Sequence, residues 1–274
     1  MSASFPLEAE IRRRIALAGP MAVAQYMALC LTHAEHGYYT THDPFGARGD
    51  FVTAPEISQM FGELIGLWAA AAWRSMDSPE QVRLVELGPG HGTMMLDVLR
   101  AARVIPDFRA AILLHMIEIS PALERLQRAA LIATDVPVSW HRSIDEIPDG
   151  PQIVLANEFF DALQAVRGHE FADPLATPGG ADLTAHVDFQ ALAQAAGGMG
   201  ARVHGPVSQG DFLRRLGIEQ RASALKAAGP PEHAAAIDAG LQRLTNEERT
   251  GMGRLMKAMA LSSPDISTLP GFEL

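Results

Sequence analysis

Three groups of residues in this chain have the types and spacing of a small-molecule transfer site. The first is Glu86, followed by glycines at alternate positions, Gly88, Gly90 and Gly92, with Pro89 between the first two. The apolar run Leu84, Val85, Leu87 reads as a buried strand, and 94–99 reads as a helix. Glycine lets the backbone turn sharply and approach a ligand without a Cβ in the way. Strand, glycine turn and helix are how a doubly wound sheet builds a nucleotide-type site. The second is Glu118, at the tip of the next apolar run, 112–117. An acidic residue there can accept hydrogen bonds from ribose hydroxyls, each worth roughly 1.5–3 kcal/mol. Its alternative role is a first-turn carboxylate for the helix opened by Ser120 and Pro121. The third is Asn157-Glu-Phe-Phe-Asp161, just past a fourth apolar run, at the carboxyl edge where α/β proteins bind ligands.

The glycine spacing separates cofactor classes. A dinucleotide fingerprint needs G-x-G-x-x-G, whereas Glu86-x-Gly88-x-Gly90-x-Gly92 has the E/D-x-G-x-G-x-G form of S-adenosylmethionine-dependent methyltransferases. A nicotinamide-binding oxidoreductase is therefore disfavoured. Methyl transfer is an in-line displacement, so a protein catalyses it mainly by positioning nucleophile and methyl. If the nucleophile is an arginine, its guanidinium stays charged in water, and carboxylates must grip the fork. Glu158 and Asp161 are the candidate catalytic residues for that task, and Asn157 is placed with the cofactor. Asn157 and Asp161 could instead cap the following turn. Trp140, ending the third strand, could stack on adenine or be an ordinary core residue.

The chain also resembles a family. The segments 43–46 (Asp-Pro-Phe-Gly), 49–59 (Gly-Asp-Phe-Val-Thr-Ala-Pro-Glu-Ile-Ser-Gln), 86–90, 117–121 and 156–162 look like the MidA/NDUFAF7 family of class I methyltransferases, as do 168–171 and 182–189. Its mitochondrial member is a protein arginine methyltransferase supporting respiratory complex I assembly. The resemblance implies an S-adenosyl-L-methionine cofactor and a protein substrate with a basic or arginine-containing segment. It further implies that Asp50 and Thr53 close over the cofactor. His91 departs from the family, which usually has arginine there. The pattern also skips a long internal segment at the Leu163/Gln164 junction, where a further core strand is expected. A catalytically impaired, shortened relative that binds cofactor or a partner is the alternative.

Composition narrows the classes. A formal charge of −10 argues against general nucleic-acid binding and favours weak, salt-dependent attraction of basic peptides. Cys30 is the single cysteine, so no internal disulfide can form. The chain shows no uninterrupted apolar run of membrane-spanning length. Its start, with Glu8 and Glu10 beside Arg12 to Arg14, is unlike a signal or transit peptide. Arginine outnumbers lysine (only Lys226 and Lys257) and alanine is abundant, which suggests a bacterial, cytoplasmic protein. His33-Ala-Glu-His36 matches no metal motif, and no metal site is expected.

The elements that must position these residues form an α/β fold, a doubly wound and mostly parallel Rossmann-like sheet, shortened, behind an N-terminal helical extension. The extension is placed at 1–80 and the methyltransferase core with C-terminal helices at 81–274. Helices are expected at 6–17, 20–34 and 55–76, the last opened by a capping box at Thr53-Ala-Pro-Glu56. Parallel strands are expected at 83–87, 112–117, 136–141 and 152–156, with helices at 93–103 and 121–130. A Gly- and Pro-rich loop should follow Leu163. A helix at 188–196, a strand at 201–207 and helices at 209–216, 219–227, 232–244 and 247–260 complete the chain. About five strands are thus legible where such sheets have seven. The fourth strand loses a neighbour unless a later strand moves over, and an unpaired edge is a liability.

Overall fold

The computed structural model describes residues 6–38, 52–159 and 187–273, and within the intervening stretch 164–167, 170–172, 178 and 182–184. The chain opens with α1 (Pro6–Ala18), α2 (Val23–Thr32), α3 (Ala54–Ile57) and α4 (Gln59–Ser75). The central sheet follows: β1 (Val82–Leu87), α5 (Thr93–Ala102), α6 (Pro106–Ala111), β2 (Ile112–Ile117), α7 (Pro121–Ala130), β3 (Val138–His141) and β4 (Gln152–Ala156). Three short strands come next, β5 (Gln164–Arg167), β6 (Glu170–Ala172) and β7 (Asp182–Thr184). The chain closes with α8 (Phe189–Gly198), β8 (Arg202–Ser208), α9 (Gln209–Arg215), α10 (Ile218–Ala228), α11 (Ala234–Thr245), α12 (Met252–Leu255) and β9 (Lys257–Ser262).

β1 to β4 pair in parallel, in the order β3-β2-β1-β4. The register sets Glu86 opposite Met116 on one side and Leu155 on the other. The three strand tips therefore end level, and Gly88, Glu118 and Asn157 leave the sheet along one edge. On one face, Leu84, Leu114, Met116, Ile153 and Leu155 join a single apolar cluster with Phe61 and Leu64 of α4 and Met95 and Val98 of α5. Phe212, Leu213, Ile218 and Leu244 of the C-terminal helices belong to the same cluster. Leu7, Ile11 and Cys30 of α1 and α2 form a separate, smaller one.

Two glycines let α4 and α5 approach closely. A Cβ on Gly62 would lie 2.6 Å from Asp97 Cβ and 2.9 Å from the Met94 carbonyl, and one on Gly66 would lie 2.8 Å from the Val98 carbonyl. On the same helix Glu63, 4% exposed, takes a bidentate pair from Arg221 of α10 at 2.7 and 2.9 Å, and Arg100 of α5 lies 3.4 Å away. α4 is thus held on one side by backbone contact and on another by a buried carboxylate.

The structure corrects several expectations. The helix expected at 55–76 is two helices, because Ser58 adopts an extended conformation (φ −161°, ψ 136°) and its Oγ accepts from the Met60 amide at 3.3 Å. Thr53 makes no side-chain cap. The carboxylate of Glu56 is drawn instead to Thr93, whose Oγ1 donates to it at 2.6 Å. The helix expected at 247–260 shrinks to α12, and 257–262 becomes β9, antiparallel to β8. Cross-strand pairing there overrides local helix preference. The loop expected after Leu163 carries β5, β6 and β7, an antiparallel sheet of its own with strands too short for periodicity to show. The strand expected at 201–207 is present as β8 but pairs with β9, so it does not extend the parallel sheet. Among the described residues β4 has only β1 as a neighbour, and Val154 on its outer face is 38% exposed. α6 was not expected; Pro106 in its first turn favours the start.

Gly62→Ala tests the helix contact. An exposed helix gains up to about 1 kcal/mol from that exchange, whereas overpacking costs about 1–3 kcal/mol. We expect a net destabilisation of about 1–2 kcal/mol in urea unfolding; a stabilised variant would contradict the close approach.

Candidate functional site

The glycine turn has the conformation its sequence allows. Gly88, Gly90 and Gly92 adopt φ of +61°, +56° and +81°, the left-handed region that side chains avoid. The Gly88 amide donates to the Ile117 carbonyl at 3.1 Å, tying the turn to β2, and the Gly92 amide donates to the Pro89 carbonyl at 2.8 Å. α5 then starts at Thr93, directing its free amides toward the edge. A Cβ on Gly88 would lie 2.7 Å from the ring of Phe159, so the residue after Glu158 lies on the turn.

Glu118 stands next to the turn, 7% exposed. Its Oε1 accepts from the Ser120 amide at 2.7 Å and its Oε2 from Gln127 Nε2 at 2.9 Å. Burial raises its pKa, and these donors oppose the rise. Both sequence readings of Glu118 are compatible with this geometry. The carboxylate does bond near the start of α7, and each oxygen keeps a lone pair for a further donor. Glu86 is 3% exposed, and its Oε2 has no hydrogen-bond partner among the described residues. Burial, and then the field of Glu118, push its pKa up to about 8.

An orphaned buried carboxyl oxygen and a second buried acid suit a ligand that carries positive charge. S-adenosyl-L-methionine does, through its sulfonium and its ammonium, and its ribose offers hydroxyl donors. The residues present therefore fit that cofactor: Glu118 would take the sugar, Gly88, Pro89 and Gly90 would form its backbone cradle, and Glu86 would lie beneath.

Two residues at this edge were not singled out from the sequence. Gln127, fully buried, donates through Nε2 to the Gly90 carbonyl at 2.8 Å as well as to Glu118, and its Oε1 accepts from Trp140 Nε1 at 3.0 Å. A polar residue four positions after Leu123 on the buried stripe of α7 is the signal that could have found it. Glu56, read as a capping partner, instead meets the turn through Thr93 and lies 3.6 Å from His91 Nδ1. Trp140 is half-buried; the Arg128 guanidinium lies 4.0 Å from its ring centroid.

At the tip of β4, Asn157 and Glu158 are half-buried. Glu158 has a left-handed backbone (φ +51°), its Oε1 accepts from the Ala54 amide at 3.1 Å, and Asn157 Nδ2 lies 3.5 Å from it. Strained backbone of this kind costs of order 1–3 kcal/mol and clusters at functional sites. Asp161 and Asp50 lie outside the described residues. His33 sits at the end of α2 and is hydrogen-bonded to Glu10 at 3.2 Å.

Two outcomes follow from the acids. Glu118→Ala should abolish binding of S-adenosyl-L-methionine in calorimetry, and Gly88→Val should weaken it; unchanged affinity in both would contradict the site. Glu86 binds its proton more tightly folded than unfolded, its pKa moving from the ordinary carboxyl value of 4.5 to about 8. Its contribution is therefore fully present below about 4.5 and is lost as pH rises through about 8. Glu86→Gln should flatten the fall in melting temperature across that window and raise stability at its alkaline end.

Comparison with known proteins identifies the family and the fold. A family model described as "Putative S-adenosyl-L-methionine-dependent methyltransferase" matches residues 64–164 and 162–207. A Drosophila melanogaster protein, "Protein arginine methyltransferase NDUFAF7 homolog, mitochondrial", is 31% identical over 374 aligned positions, covering 93% of this chain and 84% of its own. The Danio rerio NDUFAF7 protein is 28% identical over 87% of this chain and 83% of its own. A Burkholderia thailandensis structure solved bound to S-adenosyl-homocysteine superposes with a TM-score of 0.84 at 22% identity, covering 97% of this chain and 93% of that one, and shows the shared fold. The family match breaks at 162–164, and 374 aligned positions exceed the 274 residues of this chain, so the relative carries internal sequence that this chain lacks. The chain belongs to the family of S-adenosyl-L-methionine-dependent methyltransferases, and S-adenosyl-L-methionine is its cofactor.

Proposed function

We propose that the chain transfers the methyl group to an arginine in a basic segment of a protein. The observation that carries this reading is Glu158, a carboxylate at the tip of β4, held by the Ala54 amide on a strained backbone beside the glycine turn. The names of the NDUFAF7 relatives point the same way. When bound, the cofactor would supply an electrophilic methyl on a sulfonium; the guanidinium nitrogen that takes the methyl gives up one proton, which the Glu158 carboxylate would accept.

The residues of the chain supply orientation. Glu118 holds the ribose, the glycine turn and the first amides of α5 shape the cradle, and Glu86 lies below as a carboxyl that ionises more readily beside the positive charge. Glu158 grips the guanidinium fork, so that one nitrogen faces the methyl in line. Asp161 joins it in this proposal on its sequence position alone, and Asn157 orients the Glu158 carboxylate. The formal charge of −10 draws a basic segment toward the edge, the more strongly at low salt. The bacterial, cytoplasmic setting belongs to the same proposal and rests on the arginine-rich composition and the single cysteine.

A second reading has its own observation. The outer side of β4 has no strand partner among the described residues, and the family match breaks just beyond it. A shortened relative that binds cofactor without turnover would look like this. Labelled methyl transfer to arginine-containing peptides, with lysine-substituted controls, separates the two. The first reading predicts label on arginine and, for Glu158→Gln, about a tenfold or greater loss of transfer with cofactor affinity kept. Cofactor binding with no transfer to any peptide or lysate protein would favour the second.

A further inference from the structure

We propose that Gln127 is the positioning residue of the cofactor crevice, locking the glycine turn, the Glu118 carboxylate and Trp140 into the one arrangement that accepts a ribose. The inference rests on the reading that Glu118 takes the sugar. Gln127 bridges the ends of three strands. Its amide nitrogen spends one hydrogen on the Gly90 carbonyl after β1 and the other on Glu118 after β2, while its oxygen accepts from Trp140 at the end of β3.

The arrangement leaves no freedom in the amide. Turned over, its oxygen would face two acceptors, Gly90 O and Glu118 Oε2, and its nitrogen would face the donor of Trp140. Few side chains meet the same demand. Leucine or methionine offers no hydrogen bond, lysine cannot accept from the indole, ionised glutamate cannot donate, and asparagine is one carbon shorter.

The consequence falls on Glu118. Burial disfavours its charge, and among the described residues Gln127 is the one side chain that donates to it. The other charged groups around it do not replace that donor. Glu124 on α7 is acidic and opposes ionisation, and Glu86 on β1 is a carboxyl that offers no positive charge. Arg128 is engaged by Glu124 at 2.7 Å and by Trp140, and Arg142 after β3 donates to the Ile119 carbonyl at 2.9 Å. His91 and Glu56 pair with each other across the turn. Without Gln127, Glu118 holds its proton to higher pH and loses acceptor capacity for the ribose hydroxyls.

The test is calorimetric titration of the full chain and of Gln127→Met and Gln127→Leu with S-adenosyl-L-methionine and S-adenosyl-homocysteine, from neutral to alkaline pH, with a melting curve for each protein. The expected result is an affinity loss of about tenfold or more at neutral pH for both variants, recovering as pH rises, for both ligands. Using both variants guards against one that fails to fold. Unchanged affinity, or a loss by the same factor at every pH, overturns the inference, since a merely structural glutamine would not move the pH profile. A wild-type chain that binds neither ligand overturns the cofactor reading itself and this inference with it.

Discussion

Parallel pairing on both flanks of β1 is the constraint on which the site depends. Because β2 and β4 run in register with β1, the chain leaves three neighbouring strands at one level, with Gly88, Glu118 and Asn157 side by side. None of these residues could form a site alone. The pairing holds only if the sheet is covered on one face, and α4 and α5 cover it. Their contact through Gly62 and Gly66 keeps α5, and so the end of the glycine turn, close to the sheet. Stability and site geometry therefore share the same helix interface.

The crevice itself works against stability. Two carboxyl groups are buried within reach of each other's field, and one of them, Glu86, has an oxygen with no partner among the described residues. An apolar pair of similar volume would pack there at lower cost. Acids in this setting make sense beside a cation, and a sulfonium nucleoside is a cation that becomes neutral on giving up its methyl.

Much of this was legible in the sequence, and the reasons are specific. The four parallel strands are short apolar runs ended by glycine, charge or proline, and each appears within two residues of its expected bounds. Glu86, the glycines and Glu118 stood out because a strand-turn-helix unit gives few reasons for that spacing. What sequence could not reach depends on contacts between distant segments. Thr53 and Glu56 look like a capping box, but Thr93, 37 residues on, takes the glutamate and Glu158 takes the Ala54 amide. Residues 257–260 read as helix until β8 pairs with 257–262. Gln127 was hidden as an ordinary polar residue in an amphipathic helix, since its three partners come from three different strand ends. The break at Leu163/Gln164 was visible as a skipped pattern, and the family match divides at the same place.

The most direct test of the central claim is a crystal structure of this chain with S-adenosyl-homocysteine. The account predicts the nucleoside against the turn of Gly88, Pro89 and Gly90, with both ribose hydroxyls on Glu118 and Gln127 still bonded to Gly90, Glu118 and Trp140. A ligand bound elsewhere, or a ribose with Glu118 turned away from it, would contradict it.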